Sequence, residues 1–284
     1  MTLSRHRWEE NCRMKIFSTD EKTNNIKDKL IYPLISLVFW LGLWWIFARC
    51  VNTELLLPGP YETFSSLWTL ISGSFFWKTC FMSFLRILAG TLSGILCAII
   101  CALLCSFSSL ISHILTPLSK IIKTTPVASF IILAMLWLGH GVLPSVIAAL
   151  MVFPPVFQNM LTGIGEIPYA HKKLIRIFRP DLKTRITKIY VPDIMPYFFA
   201  SVKVSTGLAW KAGIAAEVLA FSPDSIGRQL TEAKNMLETP DLFAWTCAVI
   251  IISLAMETLI GFLFSKIRLP KKSERDKHHD TVAA

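Results

Sequence analysis

Residues 87–107 read ILAGTLSGILCAIICALLCSF, an uncharged run of 21 residues. A helix of about 20 apolar residues crosses a hydrocarbon layer about 30 Å thick, so the run reads as a membrane span from Ile87 to Phe107. Gly90, Gly94, Ala98 and Ala102 recur within it at i, i+4 spacing. One face therefore carries almost no side chain, and a neighbouring helix can approach closely. Cys97, Cys101 and Cys105 lie beside that stripe and read as small packing residues.

Working outward, the rest of the chain has the same character. Of its 284 residues 53% are hydrophobic and only 17% charged, and mean hydropathy is +0.53; soluble domains carry nearer a quarter charged residues. Further spans read as Leu30 to Arg49, Thr125 to Leu138, Val142 to Leu161, Ile194 to Phe221 and Leu242 to Ile267. The expectation is an all-α, polytopic membrane protein with about six transmembrane helices. Between the first two spans, Glu62 to Lys78 has the spacing of short surface helices, and Gly139-His140-Gly141 makes a tight turn with His140 as a surface polar group. Pro154 and Pro155 should kink the fourth span, as membrane helices tolerate when neighbours satisfy the freed carbonyls.

The net charge of +10 is concentrated in three places. Residues 1–29 form a basic arm; Lys172, Lys173, Arg176, Arg179, Lys183, Arg185 and Lys188 form a middle cluster; residues 268–284 form a basic tail. All three abut apolar runs, which is how Lys and Arg hold loops on the cytoplasmic side. Six spans put both termini and all three clusters on that side, a multi-pass arrangement in a plasma (inner) membrane. The same placement argues against nucleic acid as a partner. The first apolar run starts near Leu30 and is too long for a cleaved leader, so it is expected to stay as a span. Seven cysteines without CxxC spacing and six scattered histidines indicate neither a metal site nor a disulfide framework, and nothing calls for a cofactor.

Two features carry chemistry. Residues 165–192 are too charged for the bilayer, and Ile175, Phe178 and Leu182 follow helical spacing around Pro180, which describes an amphipathic helix, a break and a second helix. Such an element either lies on anionic lipid or docks into a partner. Secondly, Lys203, Lys211, Glu217 and Glu257 fall inside spans, where an ionisable group is costly unless paired or hydrated. Lys203 and Lys211 lie roughly 12 Å and 24 Å along their helix. They read as an ion pair such as Lys203 with Glu257, as a positive patch lining a path for a small anion, or, for Lys211 and Glu217, as groups snorkelling outward. Arg86 reads as an interfacial anchor or a contact for an external protein, and Trp137 and Trp210 as packing aromatics able to gate a narrow path.

Several motifs appear in order: Leu57-Pro58-Gly59-Pro60, Ser83-Phe84-Leu85-Arg86, Thr125-Pro126-Val127-Ala128, Leu136-Trp137-Leu138-Gly139-His140-Gly141, Val191-Pro192, Ala209-Trp210-Lys211, Ala215-Ala216-Glu217 and Ser225-Ile226-Gly227. Over about Leu55 to Ile267 they resemble permease subunits of bacterial binding-protein-dependent ABC importers, in the nitrate, sulfonate and taurine branch. That resemblance implies the type I importer permease fold in residues 30–267, working as a homodimer with a cytoplasmic ATPase subunit and an external substrate-binding protein. It implies import of a small, anionic solute such as a sulfonate, taurine or nitrate, and residues 165–192 as the element coupling transport to the ATPase. The coupling positions are Lys173, Leu174, Ile175, Phe178, Arg179, Leu182 and Pro192; the path candidates are Lys203, Trp210, Lys211, Glu217 and Glu257. The family's Glu-Ala-Ala triplet falls on Lys173-Leu174-Ile175 and its turn glycine on Arg179, so the turn is expected to be made differently. No Gly-x-x-x-x-Gly-Lys-[Ser/Thr] loop occurs, so the chain is expected not to be an enzyme and ATP hydrolysis to belong to a partner. An ion-gradient-driven secondary transporter is the alternative, although no internal repeat of the kind such folds show is evident.

Overall fold

The computed structural model describes residues 26–51, 53 and 55–266, and all their regular structure is helical. The basic arm and tail lie outside these residues, except for residues 26–29, which open the first helix. That helix, α1 (Ile26–Val51), passes through Pro33 and exposes most of its apolar residues from Ile31 onward. Near its end Arg49 lies 5.5 Å from the centre of the Trp45 ring, and the Trp44 indole donates to the Pro58 carbonyl at 3.1 Å. This is the belt arrangement of aromatic and basic groups at a membrane boundary.

After α2 (Pro60–Ser72), α3 (Ser74–Phe107) is a single helix of 34 residues. Its start is a correction: the second span was expected from Ile87, but no glycine or proline interrupts residues 74–89, so the helix runs back to Ser74 and places Arg86 well inside it. A second correction concerns the third span. Thr125 is extended (φ −76°, ψ 134°) ahead of Pro126, as the ring of a following proline favours. The chain therefore breaks into α4 (Ser109–Thr124) and α5 (Val127–Met135), bent by 100°. With 9 residues α5 is too short to cross alone.

α6 (Leu143–Gly165) continues through Pro154 and Pro155. α7 (Tyr169–Phe178) and α8 (Leu182–Arg185) follow, and a wide turn over Ile186–Tyr190 enters α9 (Val191–Ala220), which begins three residues ahead of the expected Ile194. The loop expected over 222–241 contains α10 (Ile226–Asn235), and α11 (Thr239–Lys266) is the last described element. Four helices, α1, α3, α6 and α11, are long and apolar enough to span a membrane, and the bent pair α4–α5 makes up to five. α9 has the length, with 30 residues, but carries Asp193, Lys203, Lys211 and Glu217. It packs most extensively on α6.

The α3–α6 contact depends on what is missing from it. A Cβ on Gly90 would lie 2.1 Å from the Ser145 carbonyl oxygen, and one on Gly94 2.6 Å from that of Ala149. Ala98 and Ala102 continue the stripe and are fully buried. The backbones touch along this line, and Ile87, Val152, Val156, Phe157 and Trp210 fill the core beside it. Because α6 offers backbone there, Gly94→Leu should force the helices apart and cost at least about 1–3 kcal/mol, as overpacking does. Gly261→Leu, on α11 with nothing within 4 Å of its Cβ position, should be nearly neutral. Melting of the two variants in detergent reads the contrast.

Candidate functional site

The two ends of α9 carry different chemistry. At its start, α7 opens after Pro168 and ends where Arg179 turns left-handed (φ 43°, ψ 52°), its N–H donating to the Ile175 carbonyl at 3.1 Å. The turn expected to be remade without glycine is thus made in the left-handed form, with an arginine in a conformation that costs an L-residue about 1–2 kcal/mol. Asp181 then caps α8: its carboxylate accepts the Thr184 N–H at 3.2 Å, and hydrogen bonds from the Thr184 side chain and backbone hold its pKa below the usual carboxylate value. The Arg185 guanidinium donates to the Tyr190 hydroxyl at 2.8 Å and lies 5.0 Å from that ring's centre. His171 Nδ1 meets Asp193 Oδ2 at 2.7 Å, tying α7 to the first turn of α9. Pro192 is the second residue of α9, directly after the wide turn.

Leu174, Ile177 and Phe178 form an exposed apolar row on α7, with Phe178 75% exposed. Lys173, Arg176 and Arg179 are exposed around it. The helical reading found Phe178 but chose Ile175, which is half-buried, over Ile177; the direction in which the helix meets the bundle decides this, and periodicity alone does not carry it. The Leu182 side chain lies outside the described residues.

In the middle of α9, Trp210 is buried and its indole donates to the Val249 carbonyl of α11 at 3.1 Å. It therefore joins two helices and does not stand at an opening. Lys203 and Lys211 are exposed and Glu257 of α11 is half-buried. The expected Lys203–Glu257 ion pair is not formed: among the described residues none of these three is in a salt bridge.

At the far end, Glu217 has no exposed surface. Its Oε1 accepts Arg86 Nη1 at 3.1 Å, and its Oε2 accepts the Ser83 hydroxyl at 2.8 Å and the Gly227 N–H at 3.3 Å. Ser83 in turn accepts the Ile226 N–H at 2.9 Å, and Arg86 Nη2 donates to the Pro223 carbonyl at 3.1 Å. A Cβ on Gly227 would lie 2.4 Å from Glu217 Cβ, so only glycine admits this approach of α10 to α9. Two expectations change here. Arg86 is neither a boundary anchor nor free for an external protein, and Glu217 does not snorkel, because each neutralises the other inside the bundle. Nearby, the Ser222 hydroxyl donates to the His140 carbonyl at 2.6 Å. Four sequence motifs, those of Arg86, His140, Glu217 and Gly227, meet at one place.

The sequence profile of the family described as "binding-protein-dependent transport system inner membrane component" matches residues 94–269. The chain belongs to that family. It is a multi-pass, inner-membrane permease subunit of an ABC importer, in the nitrate-type branch. The nitrate import permease protein NrtB of Synechococcus elongatus is 25% identical over 225 residues, 75% of this chain and 80% of that protein. The bicarbonate transport system permease protein CmpB of the same species is 22% identical over 250 residues, 83% and 88% of the two chains. The riboflavin transport system permease protein RibX of Chloroflexus aurantiacus is 28% identical over 209 residues, 73% and 78%.

Two predictions follow from the permease's geometry. Arg86→Ala should destabilise it by about 3–5 kcal/mol, by stranding the Glu217 charge in the interior, whereas Arg86→Met combined with Glu217→Gln should recover most of the loss; melting temperatures in detergent check this. Arg179→Gly should stabilise the α7–α8 turn by about 1 kcal/mol and slow amide hydrogen exchange over residues 175–185, with Arg179→Val accelerating it.

Proposed function

We propose that this permease, as a homodimer, forms the translocation path for a small anionic solute and is driven by a separate ATPase subunit docked on residues 165–192. The exposed row Leu174, Ile177 and Phe178 carries the reading. An apolar row framed by Lys173, Arg176 and Arg179 sits on a short helix fastened to the first turn of α9. A segment that rests on anionic lipid gains about 1 kcal/mol from each charge near the surface and also buries its apolar face. A groove on a partner gains from large, well-packed side chains. The apolar row suits either, and its attachment to α9, which gives a partner's movement a mechanical route into the membrane, favours the second.

On this reading the α7 end of α9 is cytoplasmic and the Glu217 end faces outward, where a solute-loaded binding protein would dock; both termini are then cytoplasmic. Lys203 and Lys211 supply the positive potential on the path. Nitrate and bicarbonate in the names of two relatives agree with a small anion. The exposed side of α11, with Ile250, Ile251, Leu254 and Leu259, offers surface for lipid and for a second copy.

Capture of the partner ATPase in detergent without anionic lipid tests the docking. Phe178→Ala should weaken capture by 2 kcal/mol or about 30-fold, while Lys172→Ala with Lys173→Ala should mainly slow association in a salt-dependent way. Undiminished capture by Phe178→Ala would remove α7 from the interface.

A further inference from the structure

Lys203, Gly207 and Lys211 stand at successive i, i+4 positions and share one face of α9. The side chains that continue this face, Val204 and Leu208, are exposed as well. Glu257 reaches across from α11 to the middle of the row: its Oε1 lies 2.6 Å from the point where a Cβ of Gly207 would stand. The missing side chain at 207 therefore makes the seat for a carboxylate between two ammonium groups. Cβ positions one turn apart are about 5–6 Å from each other, within the span of a lysine side chain. Either lysine can close on Glu257 by rotating its own torsions, with no movement of backbone.

Neither has done so. A permanent lock between α9 and α11 would be a closed ion pair, since unpaired charges within a membrane span are costly unless water reaches them. Exposed ammonium groups within reach of a half-buried carboxylate suit a site whose pairing changes. We propose that Lys203, Lys211 and Glu257 form an anion-exchange site, in which Glu257 is the resident counter-ion, paired with the lysines between transits and displaced by the passing anion. The proposal rests on the reading that α9 lines the path. With two positive groups and one negative, the site holds a net positive charge that attracts a small anion, and Glu257 competes with it so that the anion is released.

The test measures charge selectivity at the site and needs no knowledge of the natural solute. Leu208→Cys, in the complete transporter in membranes, is reacted with an anionic (sulfonatoethyl) and a cationic (trimethylammonioethyl) methanethiosulfonate. Rates are taken as the increment over the parent with its native seven cysteines and normalised to a small free thiol. The anionic reagent should be favoured by about tenfold or more, as expected for a focusing positive field. Glu257→Gln should raise that preference severalfold, Glu257→Asp should leave it near the parent value, and Lys203→Gln with Lys211→Gln should abolish it. Reaction without charge preference, or a preference indifferent to Glu257→Gln, overturns the exchange site while leaving a hydrated path. Failure of both reagents to react overturns the path reading and the site together.

Discussion

A carboxylate with no exposed surface has to be neutralised where it stands, and Glu217 sets that requirement for one whole end of the bundle. Arg86 answers its charge from α3, Ser83 answers a second lone pair from the same helix, and the Gly227 N–H answers from α10. Each answer fixes a helix. Arg86 must sit opposite the last turns of α9, which sets the register of α3; Gly227 must bring the first turn of α10 against Glu217, which sets the path of the chain after Ala220. Phe221 and Asp224 accept positive φ angles of 55° and 45° to make that turn. Strain of this kind persists only where the surroundings over-determine the backbone, and the Glu217 network is what does so here.

Such a network matters more in lipid than in water. Apolar side chains gain little by leaving hydrocarbon tails for one another, so membrane helices associate through close packing and polar contacts. The protein uses both, on different helices. Along α3 the backbone itself meets α6 at Gly90 and Gly94, maximising dispersion over a long line. Between α9 and its other neighbours the contacts are directional: Trp210 to the Val249 carbonyl, Glu217 to Arg86, His171 to Asp193.

Local pattern made the first of these devices legible and hid the second. The small-residue stripe is a property of one segment, and its i, i+4 spacing predicts a close helix contact without naming the partner. Arg86 and Glu217 are 131 positions apart, and each alone reads as a boundary or path residue; nothing within either segment says that they meet. Motif resemblance brought both into view, as parts of a family pattern, but not as a pair. The break at Thr125–Pro126 shows in the sequence only as a proline and reads as a span opening, because a proline at the first turn of a helix and one at a sharp bend look alike until the preceding residue's ψ is known. At Arg179 the error ran the other way. Replacement of glycine by arginine suggested a different turn, yet the left-handed geometry is kept, since Pro180 and the Asp181 cap constrain the following residues more strongly than one side chain resists positive φ.

On the proposed coupling reading, these two kinds of contact give α9 its place in transport. Its first turn is fastened to α7 by His171 and Asp193, and the Arg185–Tyr190 pair braces the wide turn that leads into it. Its last turns are fastened to α3 and α10 by Glu217. Between the two fastenings Lys203 and Lys211 are exposed, and the buried Gly207 between them leaves room for the Glu257 carboxylate. A helix of 30 residues held at both ends transmits displacement better than it absorbs it, because its own hydrogen bonds resist compression and the fastenings resist slip. On the coupling reading, a partner that moved α7 would shift the lysine face relative to α11 and load the Trp210–Val249 hydrogen bond that joins the two helices. The charged residues of α9 stand where such a shift has the largest chemical effect, at the spacing between ammonium groups and a carboxylate that one helix carries past another.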